Sequence, residues 1–215
     1  MGFFSAIGGF IGGALGAVGS FLGGAIGIAA TAIAGLVGSP VFGAVVGLIS
    51  LVSTVIGLTK KDEKQEELGA KAMLSDKKPE DFDSHQAYID HLRNDIELTP
   101  EIKDKLKNDK GFNDNCTVLG ASVQWNGLNE KMGINMDIAS LVKLVEAGIE
   151  KPEQFQAIAN TFKSKEVEPK INDAIERKIP IKEGAKIVDT LKEGVDKIEN
   201  SKEVWDKLDK MLNEI

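Results

Sequence analysis

The sequence predicts an all-α protein in two parts: a glycine-rich hydrophobic helical hairpin that inserts into a membrane, then a soluble multi-helix domain. Three observations carry this. All 59 charged side chains lie at or after Lys60, and the first 59 of the 215 residues hold 15 of the 23 glycines. Five of the six prolines fall after Lys60, where they punctuate segments of helical length. In those segments apolar residues recur three or four apart, as in Ile187, Val188, Leu191, Val195 and Ile198. The division is 1–59, membrane-inserting, and 60–215, charged and soluble.

Composition excludes several classes. A net charge of −7 argues against a nucleic-acid partner, because phosphate binding needs clustered cations. The single cysteine, Cys116, rules out an intrachain disulfide and is expected as a small buried apolar residue. The N-terminus lacks the basic region of a secretory signal, and its uncharged run far exceeds a signal core. Gly2 does not make a myristoylation site, since Ala6 stands where Ser or Thr is needed.

The front segment is more than twice the roughly 20 residues needed to cross a bilayer core. Gly38, Ser39 and Pro40 form a turn signal that divides it, since Pro40 can start a helix but not continue one. Residues 41–58 are the strongest crossing candidate: eleven of eighteen are Val, Ile, Leu or Phe, and Lys60 and Lys61 follow as interface anchors. Before Pro40 the chain offers one crossing near 17–37 with an interfacial helix near 3–16, or two shorter helices broken around Gly23 and Gly24. Small residues recur every four positions. One stripe is Gly8, Gly12, Gly16, Ser20 and Gly24, a second is Gly19, Gly23, Gly27, Thr31 and Gly35, and a third is Ser39, Gly43 and Gly47. Residues four apart share a helix face, and small faces let helices approach closely in lipid. The segment buries no charge of the kind an ion-coupled transporter uses. Ser50, Ser53 and Thr54 form a modest polar patch in the last membrane helix, consistent also with hydroxyl bonding back to the helix.

After Lys60 a charged helix is expected over 60–74, continuous with the one before it. Thr99-Pro100 opens a helix to about 108, with Thr99 as the N-cap. Asp137 caps 138–147, which Gly148 stops. Lys151-Pro152 opens a helix to about 162, and Glu168-Pro169 another to about 178. Two more are expected over 181–199 and 201–215. Residues 116–125 are ambiguous: a short helix or a hairpin arm, with Asn126-Gly127 as a turn signal.

Catalytic signatures are absent: no phosphate-cradling loop after a strand, no nucleophile elbow and no zinc-protease motif. The chain is expected not to be an enzyme and to hold no cofactor. His85 and His91, with Asp81, Asp83, Asp90 and Asp95 near them, make at most a weak metal site; a solvated acidic helix accounts for them.

The Gly8/Gly12/Gly16, Gly19/Gly23/Gly27 and Gly43/Gly47 stripes resemble those of glycine-zipper pore-forming effectors delivered by bacterial type VI secretion. The resemblance covers about a quarter of the chain. It implies a toxin made in the cytoplasm and secreted without a signal peptide. At a target cell's inner membrane it would oligomerise in the lipid bilayer and leak ions. It also implies an immunity protein and a delivery or chaperone partner. A looser resemblance is to pore-forming colicins, whose insertable hairpin is wrapped by amphipathic helices. Two alternatives stand beside this: a bacteriophage pilot protein that forms a genome conduit, and a membrane-anchored scaffold with a helical partner-binding domain.

Overall fold

The computed structural model describes residues 24–213. Among them are eleven α-helices, one short 3-10 turn and no strand. We number them α1 (Gly24–Ala34), α2 (Phe42–Val55), α3 (Gln65–Leu74), α4 (His85–Asp95), α5 (Pro100–Asn108), α6 (Lys110–Met132), α7 (Ile138–Ala147), α8 (Pro152–Ser164), α9 (Ile171–Ile175), α10 (Ile181–Val195) and α11 (Ser201–Asn213). The chain is all-α over this range. The inserted hairpin finds no support: no described helix is long and apolar enough to cross a membrane.

Local chemistry sets four of the helix starts. The side chains of Ser84, Thr99, Asp109 and Asp137 each accept a bond from a backbone N–H three residues on, satisfying a donor that the first turn leaves free. Gly133 and Gly148 end α6 and α7 in the left-handed region, which glycine adopts without a Cβ penalty.

Several boundaries differ from the sequence reading. The helix expected over 41–58 spans only the 14 residues of α2, because Gly57 turns left-handed (φ 68°) and Leu58 N–H bonds back to the Ser53 carbonyl. The same turn breaks the expected continuity into 60–74, and α3 starts only at Gln65. The ambiguous stretch 116–125 is the middle of the longest helix, α6. Asn126-Gly127 does not turn there. Gly127 serves close packing instead, since a Cβ on it would meet both Leu58 methyls and Ile89 at 3.1–3.3 Å. The helix expected after Glu168-Pro169 is cut to five residues, closed by Arg177 in the left-handed region and a Lys178 N–H bond to the Asp173 carbonyl.

Helix α6 is the axis. Helices α1 to α5 pack on it, α7 joins α1 and α2 to α9 and α11, and α8 links α2 and α6 to α10. Helices α1 and α2 hardly touch each other, so they are not the two arms of a self-paired hairpin. Each is instead buried separately on α6, α1 through Ile26, Ala29, Ala30 and Ile33, α2 through Val45, Leu48, Ile49 and Val52. The change of composition at Lys60 coincides with no gap in the packing, as Val52 and Leu58 share one core with Leu68 and Leu119.

The tightest contact is between α3 and α6. A Cβ built on Gly69 would lie 1.8 Å from the Cys116 carbonyl oxygen, and one on Gly120 would lie 1.9 Å from the Gln65 carbonyl oxygen. The two helices run antiparallel, backbone on backbone, which only glycine at both positions permits.

Candidate functional site

The most unusual surface belongs to α1, α2 and the turn between them. Residues 24–59 have no charged side chain. Each helix buries one face and turns the other outward, exposing Ile28 (75%), Leu51 (52%) and Val55 (61%) beside small residues such as Ala25, Ala32 and Ala44. Single exposed apolar residues are ordinary, but an uncharged outer face on two successive helices is the feature of this surface that a function has to account for.

The glycines singled out from the sequence fall into distinct settings. Gly8, Gly12, Gly16, Gly19 and Gly23 lie outside the described residues. Gly24 (φ 51°) begins α1 with the Glu80 carboxylate 2.9 Å from where a Cβ would stand. Gly27 is buried within α1, and Gly35 follows the helix end. Gly38 (φ 87°), Ser39 and Pro40 occupy the turn before α2. Gly43 and Gly47 face open space, with nothing within 4 Å of a Cβ. No close helix contact is therefore made over this stripe in the described fold. The close contacts belong to Gly69 and Gly120, which the sequence reading missed. Each is followed by alanine (Gly69-Ala70, Gly120-Ala121), a short small-residue signal that the denser front glycines overshadow.

The polar patch is also divided. Thr54 Oγ1 donates to the Ser50 carbonyl (3.0 Å), the local back-bonding typical of helical hydroxyls. Ser53 points inward, and its buried hydroxyl has no hydrogen-bond partner. About two turns earlier on α2 the Val46 carbonyl accepts from Gln65 Nε2 at the start of α3 (3.1 Å), which also donates to Gln124 Oε1 of α6 (2.6 Å). Because a carbonyl only accepts, the direction of this chain is fixed, and the Gln124 amide nitrogen is left buried and unpaired. Buried polar groups without partners cost about 1–3 kcal/mol each. The contact between α2 and the rest of the molecule thus combines good apolar packing with a polar penalty.

Just after α2 the backbone is gripped. Lys131 Nζ donates to the Gly57 carbonyl (3.0 Å), and Gln86 Nε2 (3.2 Å) and Arg93 Nη2 (3.4 Å) both donate to the Leu58 carbonyl. Arg93 is held in turn by Glu63, at 2.8 and 3.2 Å, and by Asp90. Burial opposes its charge, but Glu63 and Asp90 outweigh that and hold the guanidinium above its usual range. Lys60 and Lys61 are exposed beside this junction.

The remaining titratable clusters have structural uses. His85 pairs with Glu130: the ring Nδ1 and the backbone N–H both meet the carboxylate, tying the start of α4 to the end of α6. Burial raises the Glu130 pKa, but the bonds from His85 prevail and set it below the ordinary carboxylate value. His91 Nδ1 meets Asp95 (2.7 Å), and its Nε2 lies 3.4 Å from Ser75 Oγ. The order serine, histidine, aspartate is that of a hydrolase relay. Here Ser75 donates its proton to the Lys77 carbonyl (2.9 Å) and accepts from the Lys77 N–H (3.1 Å), so the hydroxyl caps a turn. It also stands at the C-terminal end of α3, whose partial negative charge opposes an alkoxide. Among the described residues no three His, Cys, Asp or Glu side chains are placed to hold a metal ion. Cys116 is fully buried, and burial, with the nearby Glu66 charge, pushes its thiol up to about 12.

No protein-family model, curated protein or solved structure matches the chain.

Proposed function

We propose that the protein is a membrane-inserting, pore-forming antibacterial toxin, and that the described fold is its form in water. The observation that carries this is the charge-free run of residues 24–59, packed on a charged helical scaffold with an uncharged face turned outward. A run of 36 residues without a charge has no need to be uncharged on its outer side in water. In lipid that side is the favourable one.

Helix α2, at 14 residues, is about 21 Å long, short of a bilayer core of about 30 Å. Insertion therefore requires α2 to lengthen. Residues 41–58 as one helix would reach about 27 Å. The unfilled space over Gly43 and Gly47 is then available for a second helix, which is how homo-oligomers form in the membrane. The polar penalty under α2 lowers the cost of leaving the scaffold. The charged helices would keep the chain soluble and receive the delivery or chaperone protein and the immunity protein. Arrival at a target cell's inner membrane from the producer's cytoplasm belongs to the same reading. No catalytic step and no cofactor is part of it.

The genome-conduit alternative calls for one long, polar, uninterrupted helix. The longest described helix is the 23-residue α6, and it is the buried centre of the fold. A partner-binding scaffold would use the same uncharged face without conductance. Purified protein mixed with dye-loaded liposomes tests the proposal. Dye release, with loss of membrane potential when the protein is directed to the periplasm of a sensitive cell, is the expected result. No release at any lipid composition or pH refutes it.

A further inference from the structure

Resting on that reading, we infer that Lys131, Gln86 and Arg93 form a clasp on the Gly57 and Leu58 carbonyls that keeps α2 short and thereby gates its insertion. Helix α2 has a local glycine stop at Gly57, of the kind that ends α6 and α7, although Ile56 and Leu58 continue its apolar pattern past that point. It stops in a left-handed turn at Gly57, closed by the Leu58 N–H to Ser53 carbonyl bond of 2.8 Å. In a continued helix the Gly57 and Leu58 carbonyls would point along the helix axis. In the fold they point sideways into donors from two other helices, Gln86 and Arg93 of α4 and Lys131 of α6.

The donors also hold one another. Lys131 Nζ reaches Gln86 Oε1 at 3.3 Å, and Arg93 is fixed by Glu63, five residues past the gripped carbonyl. Helix α2 is otherwise tethered mainly by apolar packing, with the Gln65 side chain on the Val46 carbonyl as a polar contact at mid-height. The clasp thus lies at the one place where lengthening by a turn would begin. Opening it lets Gly57 relax to a helical φ and adds the residues that 41–58 needs to approach a spanning length.

The test uses the full chain carrying Gln86→Met with Lys131→Met. Arg93 is left in place because its removal would strand Glu63. A second variant, Gly57→Ala, acts on the same turn and keeps all three clasp side chains, its Cβ coming no nearer than 4.0 Å to Lys131 Nζ, and alanine disfavours φ 68° and favours helix. Two quantities are read: hydrogen exchange at the amides of 57–61 with trypsin cleavage after Lys60 and Lys61, and dye release from liposomes. Both variants are expected to keep their helical circular dichroism, to exchange and cleave about tenfold faster at the junction, and to release dye faster than the parent. Unchanged exchange and cleavage in folded variants overturn the clasp. Faster exchange with unchanged release, in a chain whose parent does release dye, overturns it as a gate. If the parent releases no dye, the pore reading falls, and the clasp stands or falls on exchange alone.

Discussion

Alanine substituted for glycine should have opposite effects at two places in this fold. At Gly120 a Cβ would lie 1.9 Å from the Gln65 carbonyl oxygen, and a carbon does not approach closer than about 3.0 Å, so α3 and α6 must part by more than about 1 Å. A gap of that size forfeits roughly a quarter to a half of the dispersion contact along the interface. Leu68 and Met73 on α3, whose full burial contributes about 1.5–3 kcal/mol each, lose in proportion, and the residual overlap costs about 1–3 kcal/mol more. Alanine regains about 1 kcal/mol of helix propensity. The net for Gly120→Ala is a destabilisation of about 3 kcal/mol. At Gly47 a Cβ meets nothing within 4 Å, so only the propensity gain remains and Gly47→Ala should stabilise by up to about 1 kcal/mol. Urea unfolding followed by tryptophan fluorescence, from Trp125 buried in α6 and the partly buried Trp205, measures both. A Gly120→Ala protein as stable as its parent would refute the backbone-on-backbone contact.

Four further outcomes are expected. Ser53→Ala removes a buried hydroxyl without a partner, so it should leave the unfolding free energy unchanged or raise it by up to about 1 kcal/mol, whereas a clear loss would mean that the hydroxyl is bonded. Glu130 has a lowered folded-state pKa, so its contribution is present above the unfolded carboxylate pKa of about 4.3 and is lost as pH falls through the lower folded value. Glu130→Gln should therefore flatten the decline of stability below about pH 4.5 in acid titrations, and an unaltered acid limb would count against the His85 pairing. Cys116 should react with a thiol reagent at neutral pH only as fast as the protein unfolds, and rapid labelling of the native chain would contradict its burial. Leu51→Asp with Val55→Asp changes exposed positions but sets two like charges four apart at the C-terminal end of α2, so it should cost no more than about 2 kcal/mol of stability while abolishing dye release; retained release would show that this face does not enter the membrane.

The helical class and most helix ends are legible in the sequence because they depend on neighbours along the chain. Thr99-Pro100, Asp137 with Gly148, and Lys151-Pro152 each complete a cap within four residues. What depends on distant partners is not legible. Asn126-Gly127 has the spelling of a turn, but it lies inside α6, where Leu58 and Ile89 pack against Gly127 and leave little room for a larger side chain. The front glycines form the longest small-residue pattern, yet the described ones at Gly43 and Gly47 face open space, while two isolated glycines, Gly69 and Gly120, make the close crossing. The alanine that follows Gly69 and Gly120 does not set them apart, since Ala44 likewise follows Gly43, which touches nothing. The junction was legible only as Lys60 and Lys61, the charged boundary, because the donors that grip Gly57 and Leu58 come from positions 28 to 74 residues further on.

That α1 and α2 dock on α6 rather than on each other has a consequence for synthesis. The ribosome completes the charge-free helices by Val55 but does not begin their docking surface until Lys110. At about 5–20 residues per second, α1 waits on the order of 5–20 seconds for the end of α6 to be made. During that interval these helices lack their main docking surface, with only polar contacts such as Gln65 on the Val46 carbonyl within reach. A nascent-chain holdase, or the co-translational arrival of a dedicated binding protein, would find its target there before the fold closes over it.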